Sequence, residues 1–211
     1  MTKTKTTKLL LGIPAYSPDC KLWFLQSFVN TSWPKHIEMH FQCVLGTATA
    51  SACQILARSA VENYDYLLLA ATDIGWEPNA VRLLLDAGKD VIGGWAGTRY
   101  VPFSLTTVER YDEETCNFIR FKEPGKGIQP AFAIGGGFVL MRVAAMKRIP
   151  SPWFYGPEMF HPKQAKMVSE DYYFGLKAAK YGVESWVHWD VPLKHHAEGL
   201  YSQGGRLHSI K

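Results

Sequence analysis

Apolar runs alternate with helix-period segments from Lys8 to Ile92, and this rhythm restricts the fold more than any other feature of the chain. Lys8 to Ile13 reads as a short buried strand ended by Gly12 and Pro14, with further strands at Ile37 to Leu45, Tyr66 to Ala70 and Val91-Ile92. Between them, Lys21 to Val29 carries Leu22, Leu25, Phe28 and Val29 at amphipathic helical spacing. Ser51 to Glu62 reads as a second helix and Pro78 to Ala87 as a third, with Pro78 suited to the first turn and Gly88 to the C-terminal cap. Such alternation predicts an α/β fold with a mostly parallel central sheet flanked by helices.

From about Trp95 the rhythm changes. Ser104 to Val108 and Asn117 to Lys122 read as a hairpin around Asp112-Glu113-Glu114, and Ala131 to Met141 as one apolar strand broken by Gly135-Gly136-Gly137. A helix over Ser169 to Tyr181, a strand over Ser185 to Trp189 and the pair His195-His196 follow. No repeat or linker interrupts the chain, so one domain over 1–211 is expected, with a nucleotide-type half (8–94) and a mixed half (95–211).

With 211 residues, 47% of them hydrophobic, the chain can bury a sizeable core. Its net charge of +4 is mild and its lysines and arginines are scattered, which disfavours nucleic acid and suits a small polyanion such as a nucleoside diphosphate. Cys20, Cys43, Cys53 and Cys116 form no C-x-x-C pair, so they are expected to be reduced core fillers in a cytoplasmic protein. Leu9-Leu10-Leu11 is too short for a signal-peptide core, and no apolar run reaches membrane-spanning length, so a soluble protein is expected.

Four places carry candidate chemistry. Asp73 stands where an apolar strand stops and a helix start follows, a position at which α/β proteins hold a metal or phosphate ligand; a plain turn acid explains it as well. Ser169-Glu170-Asp171 opens a helix, where capping accounts for all three residues unless one carboxylate reaches a cleft and serves as general base. His195 and His196, with His188 nearby, offer imidazoles, of which at most one of the adjacent pair can share an ion with Asp73; an exposed pair near a terminus explains them equally well. Gly135-Gly136-Gly137 marks either a bulge or a close approach between backbone and ligand. Neither a G-x-G-x-x-G fingerprint nor a P-loop is present.

In order and spacing these pieces resemble GT-A-type glycosyltransferases, in particular the family 2 enzymes, over about Leu9 to His196. Leu11 to Tyr16 resembles the opening strand and Pro-x-Tyr loop, which implies that Pro14, Ala15 and Tyr16 receive uracil and ribose. Gln54 to Val61 resembles the helix whose arginine, here Arg58, lies near the nucleotide, and Ala71-Thr72-Asp73 occupies the place of the D-x-D motif. Gly135 to Met141 resembles the glycine-bearing strand beside the donor sugar, which makes Gly136 and Gly137 donor-binding candidates. Glu170-Asp171 resembles the E-D pair whose aspartate is the catalytic base, and His195 or His196 falls at the family's C-terminal metal histidine. The Thr-Asp-Ile-Gly-Trp-Glu-Pro wording is also similar to glycosyltransferases of large algal viruses that build capsid glycans, which would place the enzyme in a host cytoplasm.

The resemblance implies a hexosyltransferase-like enzyme moving a sugar from a UDP-sugar to a glycan or glycoprotein hydroxyl. Mn²⁺ or Mg²⁺ would be held by Asp73 and one histidine, Arg58 or Lys194 would help at the diphosphate, and Asp171 would act as an inverting base. Trp95, Arg99, Tyr100, Trp153 and Phe154 are candidates for an acceptor wall, and the tail from Gly199 to Lys211 for a lid, with core aromatics and a frayed terminus as the plainer readings. Ala71 replaces the first acid of D-x-D, which keeps open a non-catalytic nucleotide-sugar-binding domain. A nucleotidyltransferase and a histidine-based metal hydrolase fit less well, since the first lacks its Gly-rich basic loop here and the second its early acid and histidine cluster.

Overall fold

The structure is a computed structural model that describes residues 6–98, 104–135, 137–161, 166–197, 200–203 and 206–209. In chain order, the first half runs β1 (Thr7–Ala15), α1 (Leu22–Asn30), β2 (Ile37–Leu45), α2 (Thr49–Asn63), β3 (Tyr66–Ala70), β4 (Ile74–Gly75), α3 (Ala80–Asp86) and β5 (Val91–Trp95). Then come β6 (Val108–Asp112), β7 (Asn117–Arg120), β8 (Ile128–Ala131), β9 (Phe138–Arg142), α4 (Val143–Met146), β10 (Phe160–His161) and β11 (Lys166–Met167). The last elements are α5 (Glu170–Lys180), β12 (Ser185–Pro192), β13 (Lys194–Ala197), β14 (Leu200–Gln203) and β15 (Arg206–Ser209).

The central sheet has seven strands in the order β2-β1-β3-β9-β5-β12-β8. β1 pairs parallel with β2 and β3, and β5 parallel with β12; β9 is antiparallel to β3 and β5, and β8 antiparallel to β12. All strands except β9 and β8 therefore point one way, as the βαβα rhythm predicts. Strand alternation divides the core into two layers. Leu9, Leu11, Leu68 and Ala70 pack with Phe24, Trp76 and Phe138 on one face of the sheet, whereas Leu10, Leu67 and Leu69 pack with Leu56 and Met141 on the other.

Several expected boundaries move, each for a local reason. β1 continues through Pro14 to Ala15, since the strand lies beside β2 in parallel register to its last residue. α3 starts after Pro78, whose carbonyl accepts from the Ser32 amide at 2.8 Å, and ends at Asp86, with Gly88 just beyond at a φ of 64° that fits the expected cap. The hairpin turn falls at Asp112, whose Oδ1 accepts from the Glu114 and Thr115 amides, and β7 starts at Asn117 as expected; the first strand, β6, starts at Val108 and not at Ser104, since the Thr106 amide bonds the Ala96 carbonyl instead. Ala131 to Met141 is not one strand: β8 lies at the sheet edge and β9 at its centre, with the glycine segment crossing between them.

The expected apolar face of α1 is corrected too. Leu22 and Val29 are 79% and 71% exposed, and the buried positions are Phe24 and Ser27. The reason lies in the segment beneath. Ser27 Oγ accepts from the Trp76 amide at 2.8 Å, and Thr31 Oγ1 accepts from the Trp76 indole N–H at 2.8 Å. A Cβ on Gly75 would lie 3.3 Å from Ser27 Oγ, so α1 docks through small polar groups on the turn that follows Asp73. The core-filler expectation for the cysteines holds for Cys53 and Cys116 and fails for Cys20 and Cys43, which are exposed.

Candidate active site

Asp73 sits in the tight turn between β3 and β4. β3 ends as the Ala71 amide donates to the Gly137 carbonyl at 2.7 Å, and the Ile74 amide closes the turn onto the Ala71 carbonyl at 3.1 Å. The Lys21 amide donates to the Thr72 carbonyl at 3.2 Å, tying the loop after β1 to the same turn. β13 then pairs antiparallel with β4, setting His195 opposite Ile74. Asp73 Oδ2 lies 3.6 Å from His195 Nε2 as a result.

His195 is buried, and its Nδ1 lies 2.9 Å from the Gly97 carbonyl, which can only accept. Nδ1 thus carries the proton, and in the neutral ring the Nε2 lone pair faces Asp73. A carboxylate oxygen and a carbonyl-braced imidazole are metal-donor chemistry, and donors bound at about 2.1 Å to one ion stand about 3–4 Å apart. Among the described residues no group of three or more His, Cys, Asp or Glu stands together as a metal cluster. The residues fit an ion that takes its other ligands from phosphate oxygens and water. His196 continues β13, its side chain lying outside the described residues, and His188 lies in β12, where burial lowers its pKa. Lys194 Nζ bonds Glu77 Oε1 at 2.8 Å.

Asp171 lies in the first turn of α5. Its Oδ1 accepts from the Ser169 hydroxyl and, at 2.8 Å, from the Tyr172 amide. Ser169 is the N-cap residue but caps no backbone amide with its side chain; it serves the carboxylate instead. Burial raises the Asp171 pKa from 3.8 to about 6, opposed by the Ser169 hydrogen bond and reinforced by neighbouring Glu170.

The glycine segment joins the two acids. A Cβ on Gly135 would meet Thr106 O at 2.6 Å and Asp171 Oδ2 at 3.1 Å, while a Cβ on Gly137 would meet the Ala71 Cβ at 2.6 Å. The close approach expected of these glycines is therefore made to the protein itself, and two residues of backbone, at most about 7 Å, link the Asp171 contact to the Asp73 turn. Gly136 lies outside the described residues.

Asp73, His195, Glu170 and Asp171 all line one cavity of about 810 Å³, together with Pro14, Tyr16, Thr72 and Gly137. Tyr16, 83% exposed, presents its ring at this cavity. Ala15 is buried in the core beside Phe24, away from the cavity. Arg58 does not line this cavity: it is exposed and lines a separate hollow with Ser51, Gln54, Glu62 and Tyr155, whereas Thr49 and Cys53 are the α2 residues that line the cavity. Of the expected aromatic wall, Phe154 lines the cavity, whereas Trp95 and Trp153 are core residues whose indoles donate to the carbonyls of Trp189 and of Met146 and Ile149. Arg99 and Tyr100 lie outside the described residues. The described part of the tail, 200–203 and 206–209, forms strands that extend the β4-β13 sheet, in place of a frayed end.

Sequence reasoning missed Lys21, Thr106, Arg120 and Tyr172, all cavity-lining. Tyr172 directly follows the E-D pair and was legible as a neighbour; Arg120 reaches the site only through the β6-β7 hairpin, which no spacing along the chain reveals.

The same architecture recurs in solved structures. The chain superposes on A197 from STIV with a TM-score of 0.64 at 18% identity, over 97% of this chain and 94% of that one. It superposes on GalNAc-T7, solved with UDP, GalNAc and Mn²⁺, with a TM-score of 0.60 at 9% identity, over 92% of this chain and 44% of that one. This chain has a GT-A-like fold. Residues 1–349 of S. aureus TarS, solved with UDP-GlcNAc, agree at a TM-score of 0.52 and 13% identity, covering 92% of this chain and 57% of that one. No protein-family model matches the sequence, and comparison with curated proteins finds none similar to it. At these identities the likeness establishes the GT-A-like architecture, and the site residues carry the functional argument.

Proposed function

We propose that this chain is a glycosyltransferase that moves a sugar from a UDP-sugar to a hydroxyl of a glycan or glycoprotein acceptor, with an Mn²⁺ or Mg²⁺ cofactor. The observation that carries this reading is the single cavity that holds both the Asp73-His195 pair and the desolvated carboxyl of Asp171. The UDP and UDP-GlcNAc bound to GalNAc-T7 and TarS support the donor class.

In this reading residues 8–94 hold the nucleotide, with Tyr16 against the uracil and Pro14 and Thr72 lining its pocket, and residues 95–211 hold the acceptor. Asp73 and His195 would hold the divalent ion, which when bound supplies Lewis-acid stabilisation of the negative charge that grows on the leaving diphosphate. Asp171, ionised above about pH 6, takes the proton from the acceptor hydroxyl as that oxygen attacks the anomeric carbon. With Asp171 opposite the leaving diphosphate, the transfer is a direct displacement with inversion. Glu170 keeps the neighbourhood acidic and so helps hold the Asp171 pKa up. The work that the resemblance gave to Arg58 falls, on this reading, to residues nearer Asp73. A capsid-glycan acceptor, as in the algal-virus enzymes the sequence resembles, and a cytoplasmic setting fit this assignment.

Calorimetric titration of UDP, CMP and GDP with and without Mn²⁺ tests the donor site. Metal-dependent binding of UDP alone is the expected result, and binding of none of the three would overturn the reading. Turnover then separates an enzyme from a nucleotide-sugar-binding domain: the enzyme releases UDP from a UDP-sugar, a binding domain never does, and a nucleotidyltransferase would release pyrophosphate from UTP.

A further inference from the structure

Arg120 closes β7 and reaches the cavity beside Asp171, Tyr172 and Thr106. Its Nε donates to Tyr172 Oη at 3.0 Å and its Nη1 to Ser104 Oγ at 2.7 Å. Tyr172 Oη has a single proton, which it donates to the Thr106 carbonyl at 2.9 Å, so toward Arg120 it can only accept. The tyrosine is itself locked in place: its ring packs on Phe118 at 4.9 Å, and Phe118 packs on Tyr111 and Phe132 at 5.0 and 6.2 Å. This aromatic stack ties the β6-β7 hairpin to α5 and fixes the guanidinium against the Tyr172 hydroxyl.

Both partners of Arg120 are neutral. Arg82 and Arg148, by contrast, meet the carboxylates of Asp86 and Asp90. Among the described residues no carboxylate forms an ion pair with Arg120. A guanidinium has five N–H donors in a planar fork suited to a carboxylate or phosphate, and neutral acceptors take only two of them here. Its charge is therefore held and oriented on the cavity wall, with no direct ion pair among the described residues.

The position within the cavity says which ligand this charge serves. The Asp73 turn, with His195 and with Lys21 tied to Thr72, is the end assigned to the diphosphate. Arg120 is tied to the Asp171 side through Tyr172, whose backbone amide bonds the Asp171 carboxylate and whose hydroxyl accepts from Arg120 Nε. Glu170 and Asp171 would repel an anionic acceptor from that end, and a fixed cation there offsets the repulsion.

Resting on the transferase reading, we propose that Arg120 selects an anionic acceptor, one that carries a carboxylate or phosphate near the hydroxyl that Asp171 deprotonates. Arg120 is a specificity residue in this assignment, and Tyr172 positions it.

The test is a titration of glucuronate, glucose 6-phosphate and neutral glucose into the protein saturated with UDP and Mn²⁺, for the wild type, Arg120→Gln, Arg120→Lys and Tyr172→Phe. At least one of the two anions is expected to bind about tenfold or more tighter than glucose, since a charge-assisted hydrogen bond is worth that much. Which anion leads distinguishes a carboxylate-bearing from a phosphate-bearing acceptor. Arg120→Gln is expected to erase the preference with UDP affinity unchanged, Arg120→Lys to keep part of it, and Tyr172→Phe to reduce it. Equal binding of the three sugars to the wild type, or a loss of UDP affinity in Arg120→Gln, would overturn the assignment of Arg120 to the acceptor. Failure of UDP to bind the wild type is a different result, which overturns the transferase reading on which the assignment stands.

Discussion

Asp73 Oδ2 and His195 Nε2 stand 3.6 Å apart although more than half the chain separates them. The two-residue pairing of β13 with β4 is what joins them, and the Gly97 carbonyl fixes which imidazole nitrogen faces the carboxylate.

If this pair holds the ion, Asp73→Ala and His195→Ala should each weaken Mn²⁺-dependent UDP binding by about tenfold or more, with metal-independent binding little altered. Calorimetry with and without Mn²⁺ measures both. Unchanged affinity in the two variants would remove the metal role from the pair.

For Asp171→Asn the expected outcome is retained UDP binding with transfer reduced by about a hundredfold or more, the usual scale for losing a general base. The wild-type rate should rise with pH and level off above an apparent pKa of about 6, because only the ionised carboxyl can take the proton. A rate that stays flat between about pH 5 and about pH 8 would return Asp171 to helix capping.

The same residue makes a stability prediction of opposite sense. A folded pKa of about 6 against an ordinary 3.8 means that the native protein binds the proton more tightly than the unfolded chain does. Stability from this group is present below the unfolded value and is lost as pH rises through the folded one. Asp171→Asn removes the ionised form, so its melting temperature should exceed the wild type's at about pH 7 and match it more closely at about pH 4. Thermal unfolding at the two pH values checks the sign.

Gly137→Ala should cost about 1–3 kcal/mol, since the new methyl at φ 67° would sit 2.6 Å from the Ala71 Cβ. Gly88→Ala, with φ 64° and nothing within 4 Å, should cost about 1 kcal/mol from the backbone alone. Denaturant midpoints separate the crowded glycine from the merely left-handed one, and equal losses would remove the contact with Ala71 from the account.

Periodicity made the scaffold legible. β2 and β3 occur where Ile37 to Leu45 and Tyr66 to Ala70 predict them: β3 is a continuous apolar run in the core, and β2 is an edge strand that mixes half-buried and exposed residues. It misjudged α1, where Leu22, Leu25 and Val29 have the right spacing yet the helix docks through Ser27 and Thr31 onto the Trp76 N–H groups. A hydroxyl that satisfies a buried donor leaves no hydrophobic trace in the sequence. The candidate site divides the same way. Asp73 and Asp171 stand at element ends, which local pattern marks; the approach of Arg120 and of His195 to the cavity depends on which strands become partners, and pairing is a property of the whole fold. Arg58 shows the cost of transferring a role by position on a helix, since one face of α2 meets the cavity and the other meets solvent.

Asp73 and His195 also enter the molecule at very different times. β12 is the last strand of the seven-stranded sheet, and β13 follows it in the chain. During synthesis, therefore, the whole sheet and both acids, Asp73 and Asp171, exist before His195 has emerged. If Asp73 and His195 hold the ion, that pair is completed only after the last strand of the sheet has been made.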